Sequence, residues 1–196
     1  MKELEMAAQA GHSAEFTERN NELKELRTLA ILDNYLKIYP TNLKDYATGP
    51  IEEAFDWTDV HTKLLHEYDL PADTALDVFA FYSRPNPNRD AKGLNEADLG
   101  AFFATRDLTD EFLYYQRDGI VDQNGNALVF CVWSHRKYAH VLSGSGDHDH
   151  AASYADSSYI DGSTQWLRTK RADNGEGVTI SKSKRNQLPL GHLRTE

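Results

Sequence analysis

Residues 112–134, FLYYQRDGIVDQNGNALVFCVWS, decide the fold class. Aromatic and β-branched side chains fill 112–116 and 127–134, a composition typical of strands. The dipeptides Asp118-Gly119 and Asn124-Gly125 bound these runs, and both favour tight turns. Residues 138–142 have the character of a third strand. The back of the chain is therefore predicted to be an antiparallel, β-rich unit.

The front of the chain has a helical pattern. Apolar residues recur at three- and four-residue spacing over 14–38 and again over about 50–69. Residues 75–82 are apolar but short, so their periodicity leaves helix and strand both open. Prolines, asparagines and a glycine then interrupt the pattern over 83–93, after which Asn95 is a candidate N-cap.

These patterns predict an α+β protein with a helical N-terminal part followed by a small antiparallel β-rich, barrel-like domain. The predicted boundaries are a helical region over 1–83, a linker over 84–94, and a β-rich domain with a short leading helix over 95–196. A chain of 196 residues with 40% apolar residues can bury a sizeable core.

Composition excludes several protein classes. No apolar run reaches the roughly 18 residues that a membrane-spanning helix needs, so no membrane association is expected. The chain has one cysteine, Cys131, and therefore no disulfide within itself, which favours a cytoplasmic location. Because Cys131 lies in an apolar strand, it is expected to be a small buried hydrophobe.

The formal net charge of −10 is unevenly distributed. Residues 1–128 carry 12 Lys and Arg against 24 Asp and Glu, whereas residues 129–196 carry 9 against 7. The acidic excess therefore belongs to the front of the chain. An anionic ligand is expected to bind near the back, where the balance is slightly basic.

The common catalytic signatures are absent from the sequence. It has no GxxxxGK[ST], HExxH, CxxC or GxSxG stretch, which removes the P-loop, zincin, zinc-ribbon and α/β-hydrolase interpretations. The most concentrated group of potential metal ligands is His148, Asp149 and His150, in a segment predicted to be a loop. Polar loop residues are the simpler interpretation, but a divalent metal there would support phosphodiester hydrolysis.

A basic and aromatic set in the last third is the main candidate site. Arginine and lysine can contact phosphates, and aromatic rings can stack on bases. The candidate nucleic-acid-binding residues are Arg136, Lys137, Tyr154, Trp166, Arg168, Lys170 and Arg171. The alternatives are that the cations are solvated and that Trp166 belongs to the core.

Acidic helix faces in the front half offer a different function. Their carboxylates are Glu18, Glu22, Glu25, Glu52, Glu53, Asp56 and Asp59. The simplest interpretation is a solvated surface. The alternative is a protein-interaction or inhibitor module whose partner binds these helices.

Residues 154–169, from Tyr154-Ala155-Asp156 through Trp166-Leu167-Arg168-Thr169, resemble a known pattern. They are similar to the C-terminal domain appended to restriction-type superfamily-two helicases, many of which also carry a phospholipase-D-type nuclease domain. The strand over 127–135, the turn region 119–125 and residues 81–84 match that domain in character. The resemblance covers about 76–191 and implies nucleic-acid recognition in a DNA-handling, defence context. It implies no helicase or nuclease activity, because the motifs for both are absent.

The sequence therefore favours a non-catalytic nucleic-acid-recognition module without a resident cofactor. A protein-interaction module and a metal-dependent phosphodiester hydrolase are the two alternatives.

Overall fold

The computed structural model describes residues 38, 40–41, 51–122, 124–143 and 146–188. The helices within these ranges are α1 (Trp57–Glu67), α2 (Ala91–Leu108), α3 (Arg136–Leu142), α4 (Gly146–Ser153) and α5 (Ala155–Ser158). The strands are β1 (Leu76–Pro85), β2 (Phe112–Val121), β3 (Ala127–Trp133), β4 (Tyr159–Arg171), β5 (Val178–Lys182) and β6 (Asn186–Gln187). A 3₁₀ turn precedes α1 at Ile51–Glu53. The helix predicted over 14–38 lies outside the described residues except for Ile38, which is buried.

The strands form one antiparallel sheet in the order β2-β3-β1-β4-β5, with β6 pairing β4. Helix α2 connects β1 to β2, and α3–α5 connect β3 to β4. This order and these directions are those of the β-α-β-β-α-β arrangement of ferredoxin-like folds. The α+β class is confirmed. Among the described strands, no pairing joins β2 to β5, so the sheet is open where the sequence predicted a barrel-like closure.

Alternation along the strands gives the sheet two apolar faces. On the first face, Val78, Phe130 and Leu167 are at most 1% exposed and pack in one core cluster with Val60 and Leu64 of α1. We call this the α1 face. The opposite face carries Phe112, Trp133 and Trp166, in a second cluster with residues of α2 and α3, and we call it the α2 face.

Helix α1 begins where the sequence provides an N-cap. The Asp56 carboxylate accepts hydrogen bonds from the backbone N–H groups of Thr58 and Asp59, at 3.0 and 3.1 Å. Such a cap satisfies donors that the first turn would otherwise leave unpaired. The predicted helix over about 50–69 is thus confirmed in its central part, with the 3₁₀ turn in front of it.

Residues 84–94, the predicted linker, hold the end of β1, a turn and the beginning of α2. Residues 76–82 of the ambiguous run belong to β1, which lies between β3 and β4 in the sheet. The sheet therefore contains strands from both sides of the predicted boundary. Helix α2 begins at Ala91 with Asp90 as its N-cap, so the predicted cap at Asn95 is wrong.

Three local predictions are wrong at the back of the chain. Residues 138–142 lie in α3 instead of a strand, and the segment predicted as a loop over 143–152 contains most of α4. Asp118-Gly119 lies inside β2, where the ladder is irregular between Gln116 and Ile120, instead of at a turn. The turn at Asn124-Gly125 is confirmed, with Gly125 at a φ of +80°.

None of the helices that the structure describes is long and apolar enough to cross a membrane.

Candidate nucleic-acid interface

Asp77 joins two segments of the chain on the α2 face. Its side chain on β1 is 3% exposed. One carboxylate oxygen, Oδ2, accepts the backbone N–H of Arg136 at 2.8 Å, at the beginning of α3. Both carboxylate oxygens lie 3.2 Å from Nη1 of Arg168 on β4. A buried carboxylate needs such donors, so Asp77 fixes the start of α3 and the position of Arg168 together.

Arg168 lies directly opposite Asp77 in the β1–β4 register. Its side chain is 47% exposed, so only one end of the guanidinium is held inside the protein. The contact with Asp77 uses Nη1. Among the described residues, the edge formed by Nε and Nη2 has no partner. That edge has the two-donor geometry that matches a phosphate group.

Arg136 is held in a similar way. Its guanidinium carbon lies 5.2 Å from the centre of the Trp166 ring, and its Nε donates to Nε2 of His140 at 3.3 Å. The acceptor role requires His140 Nε2 to be unprotonated. The Nη1 and Nη2 groups of Arg136 have no partner within the described part of the chain. Arg136 itself is exposed.

The Trp166 ring contacts Arg136 and helps to hold it in place. Its ring centre is 5.0 Å from that of Phe79, its cross-strand neighbour, and 5.7 Å from that of His140. The Arg136 guanidinium lies over the ring as well. The ring is therefore engaged by three side chains of the protein. These contacts give Trp166 a positioning role for Arg136. The sequence had left open a stacking surface for a base and a core position, and Trp166 packs, partly buried, against the cluster of Phe112 and Trp133.

Lys170 and Lys137 are the two further cations near Arg168 and Arg136 along β4 and α3. Lys170 lies two residues beyond Arg168, so strand alternation places it on the same side of β4. Lys137 follows Arg136 on α3, with its ammonium 4.7 Å from the Tyr138 ring centre. Both lysines are exposed. We call the four residues Arg136, Lys137, Arg168 and Lys170 the basic patch.

Two other predicted binding residues lie elsewhere. Alternation puts Arg171 on the α1 side of β4, opposite Val178, which packs against the α1 core. Tyr154 lies between α4 and α5, where its ring is 5.6 Å from that of His150. Its hydroxyl lies 2.9 Å from the position that a β-carbon on Gly93 would take, near the N-terminal end of α2.

The candidate metal ligands His148, Asp149 and His150 all belong to α4. Successive helical residues turn by about 100°, so the two histidines are about 200° apart around the axis. In the loop that the sequence predicted, an extended backbone would have placed both histidine side chains on the same side of the chain. In the part of the chain that the structure describes, no group of three or more His, Cys, Asp or Glu could hold a metal ion.

Cys131 has the surroundings of a structural cysteine. Its thiol accepts a hydrogen bond from the Trp133 indole at 3.0 Å, and burial raises its pKa to about 12. The thiol therefore stays protonated near neutral pH, whereas a nucleophilic cysteine has to be a thiolate.

Three of the four described carboxylates of the acidic front have partners within the protein, and the fourth, Glu53, is exposed. Asp56 caps α1, Asp59 pairs with Lys63, and Glu52 pairs with Lys182. The remaining predicted surface residues of the first helix, Glu18, Glu22 and Glu25, lie outside the described residues. The protein-interaction alternative therefore stays a prediction.

Sequence reasoning missed Asp77, Phe79 and His140 as parts of this site. The available signal was a carboxylate inside the apolar run Leu76-Asp77-Val78-Phe79-Ala80-Phe81. A charged residue in such a run is rarely buried unless it is paired. The sequence could not show which cation would pair with it, because Arg168 is 91 residues away.

A family profile matches residues 13–182 of the chain, a range that includes the whole basic patch. The chain belongs to the PB2B2.08-like family. That family description names no ligand and no reaction. Comparison with curated proteins and with solved structures gives no match. None of these comparisons links the PB2B2.08-like chain to the helicase-appended domains that residues 154–169 resemble, so that resemblance stays a prediction.

Proposed function

We propose that this protein is a non-catalytic nucleic-acid-binding module whose basic patch contacts backbone phosphates. The observation that carries the proposal is that Asp77 binds both the backbone N–H of Arg136 and the guanidinium of Arg168. Two guanidinium groups from distant segments are thus restrained at one end of the sheet, Arg168 by Asp77 and Arg136 by His140 and Trp166, and each has N–H groups without a partner among the described residues.

Anchoring matters because a flexible arginine loses side-chain entropy when it binds a phosphate. Arg168 is restrained by Asp77, and Arg136 by His140 and Trp166. Restraint before binding reduces the entropy lost on association. Lys170 and Lys137 add charge without fixed geometry, as lysine commonly does at phosphate sites.

Contacts of this kind favour phosphates over base edges. The Trp166 ring is already engaged by Phe79, His140 and Arg136. On the other sheet face, Tyr82 and Phe130 are at most 2% exposed, so they offer no open platform of the kind on which RNA-binding sheets stack bases. Phosphate contacts carry little sequence information, so we expect salt-dependent binding with weak sequence preference.

The resemblance of residues 154–169 implies a DNA-handling, defence context for this binding, and we include that context in the proposal. A cytoplasmic location belongs to the proposal as well, because the sequence has a single cysteine, Cys131, and so no disulfide within itself.

The test is fluorescence anisotropy with a labelled oligonucleotide of mixed sequence at low salt. We expect Arg168→Ala combined with Lys170→Ala to weaken binding about tenfold or more, and to reduce the salt slope by about one per residue. Arg171→Ala combined with Lys184→Ala is the charge-matched control. Arg171 lies on the opposite side of β4, and the exposed Lys184 follows β5 near Gln165, away from the end of β4 that carries Lys170. No binding by the wild-type protein would overturn the proposal, and so would equal losses in the two double variants.

A further inference from the structure

Three acidic turns lie at the same end of the sheet as the basic patch. Strands β1 and β2 begin, and β4 ends, at the same end of the sheet: Leu76 pairs with Thr169, and Trp133 at the end of β3 pairs with both Asp77 and Phe112. The loop before β1, the turn before β2 and the β4–β5 hairpin therefore all project from this end. Their acidic residues are Asp69, Asp73, Asp110, Glu111, Asp173 and Glu176.

These turns lie close to the patch along the chain and in the backbone network. The backbone N–H of Ser134, two residues before Arg136, donates to the carbonyl of Glu111 at 2.9 Å. The hairpin begins immediately after Arg171, and Asp73 lies three residues before Leu76. None of the three turns contains a lysine or an arginine. At this end of the sheet, the positive surface is therefore bordered by turns that carry acidic residues and no cation.

A duplex and a single strand respond differently to such a surface. A duplex is stiff and carries one negative charge per roughly 1.7 Å of helix axis, so its phosphates meet the surroundings of the patch as well as the patch. Phosphates beside Asp173 or Asp73 would be repelled. A single strand can bend so that only a few phosphates reach the cations.

We infer that the basic patch selects single-stranded nucleic acid and contacts about three or four consecutive phosphates, with the acidic turns acting against duplex binding. This inference rests on the proposed function and specifies its ligand. Because the basic patch has four cations, it can contact at most about four phosphates at once. For a single strand, these contacts predict a slope of log affinity against log salt of about −2 to −3.

The experiment compares a labelled 12-nucleotide single strand with the duplex of the same sequence, using full-length protein at matched salt. We expect the single strand to bind at least about tenfold more tightly. If the duplex binds equally well or better, the inference is wrong and the proposed function stands. If neither binds at low salt, the proposed function itself fails.

Charge variants test whether the acidic turns cause the preference. Asp173→Asn combined with Glu176→Gln should bring the duplex and single-strand affinities closer, by about threefold or more. Asp161→Asn combined with Glu96→Gln is the matched control: Asp161 pairs with Arg84 at the opposite end of the sheet, and Glu96 pairs with Lys92 early in α2. An unchanged ratio in the hairpin variant, or an equal change in the control, would contradict the role of the turns.

Discussion

At the scale of single residues, Asp77 determines the geometry of the candidate site. A carboxylate that is 3% exposed would be costly to bury without partners, and its partners come from positions 59 and 91 residues away. The same group thus contributes to the fold and positions the backbone of Arg136 and the guanidinium of Arg168. The functional arrangement is a consequence of satisfying one buried charge.

We expect Asp77→Ala to lower the free energy of unfolding by about 2 kcal/mol, because the Arg136 N–H loses its acceptor and Arg168 loses its partner. Urea unfolding measures this change. Asp161→Ala is the control, because the Asp161–Arg84 pair is about half exposed on both sides and should contribute about 0.5 kcal/mol or less. Equal losses in the two variants would show that Asp77 has no special structural role.

His61 gives the protein a pH-dependent stability. Its side chain is 3% exposed, its Nδ1 lies 2.9 Å from Thr169 Oγ1, and its Nε2 is buried without a hydrogen bond. Burial lowers its pKa below the usual value of 6.5. Below about pH 6.5 the unfolded chain therefore binds more protons than the folded protein, and stability decreases as the pH falls.

We expect the wild-type protein to lose about 1 kcal/mol more stability than His61→Gln between pH 7.5 and 5.5. Urea unfolding at the two pH values measures the stability change of each protein. All other titrating groups are the same in both proteins, so the difference between the two changes belongs to His61. Parallel losses in the two proteins would mean that His61 does not cause the dependence.

At the scale of elements, the sequence predicted strands best where aromatic and β-branched residues were concentrated. Strands β2 and β3 follow from their aromatic and β-branched residues, and the Asn124-Gly125 turn follows from its dipeptide. Helix α3 was predicted as a strand, because the short run over 138–142 is compatible with both structures. Its helical start is supported by Asp77, which no local pattern reveals.

The candidate site was predictable from the sequence only as far as residue type reveals it. Residue type identified Arg136, Trp166 and Arg168 as binding candidates, and the structure brings these three together. The register of β1 against β4 decides which side chains face each other, and the registry of distant strands is a tertiary property. Tyr154 and Arg171 had suitable chemistry but lie on other surfaces.

Strand β1 supports a test of the element organisation. It pairs with β3 over seven residue positions and with β4 along most of its length. A fragment of residues 95–196 lacks β1, so β3 and β4 would lose their shared neighbour. We expect the fragment to show no cooperative unfolding transition, in contrast to the full chain, when urea unfolding is followed by circular dichroism. A cooperative transition in the fragment would show that the back half is an independent domain.

At the scale of the whole molecule, charge separation along the sequence is not separation in space. The basic patch comes from the back of the chain, but the acidic turns at 69–73 and 110–111 come from the front and lie at the same end of the sheet. The net charge of −10 disfavours nonspecific coating of a long polyanion, because the molecule as a whole repels it. The same net charge is compatible with a local basic site that binds a short polyanion.

The most direct test of the account is an NMR titration with a short single-stranded oligonucleotide, observing the arginine Nε and tryptophan indole signals. We expect saturable shifts of Arg136, Trp166 and Arg168, while the signals of Arg84 and Arg171 stay in place. Shifts confined to Arg171 or Arg84, or no shift at any of these residues at low salt, would contradict the claim that the surface anchored by Asp77 binds nucleic acid.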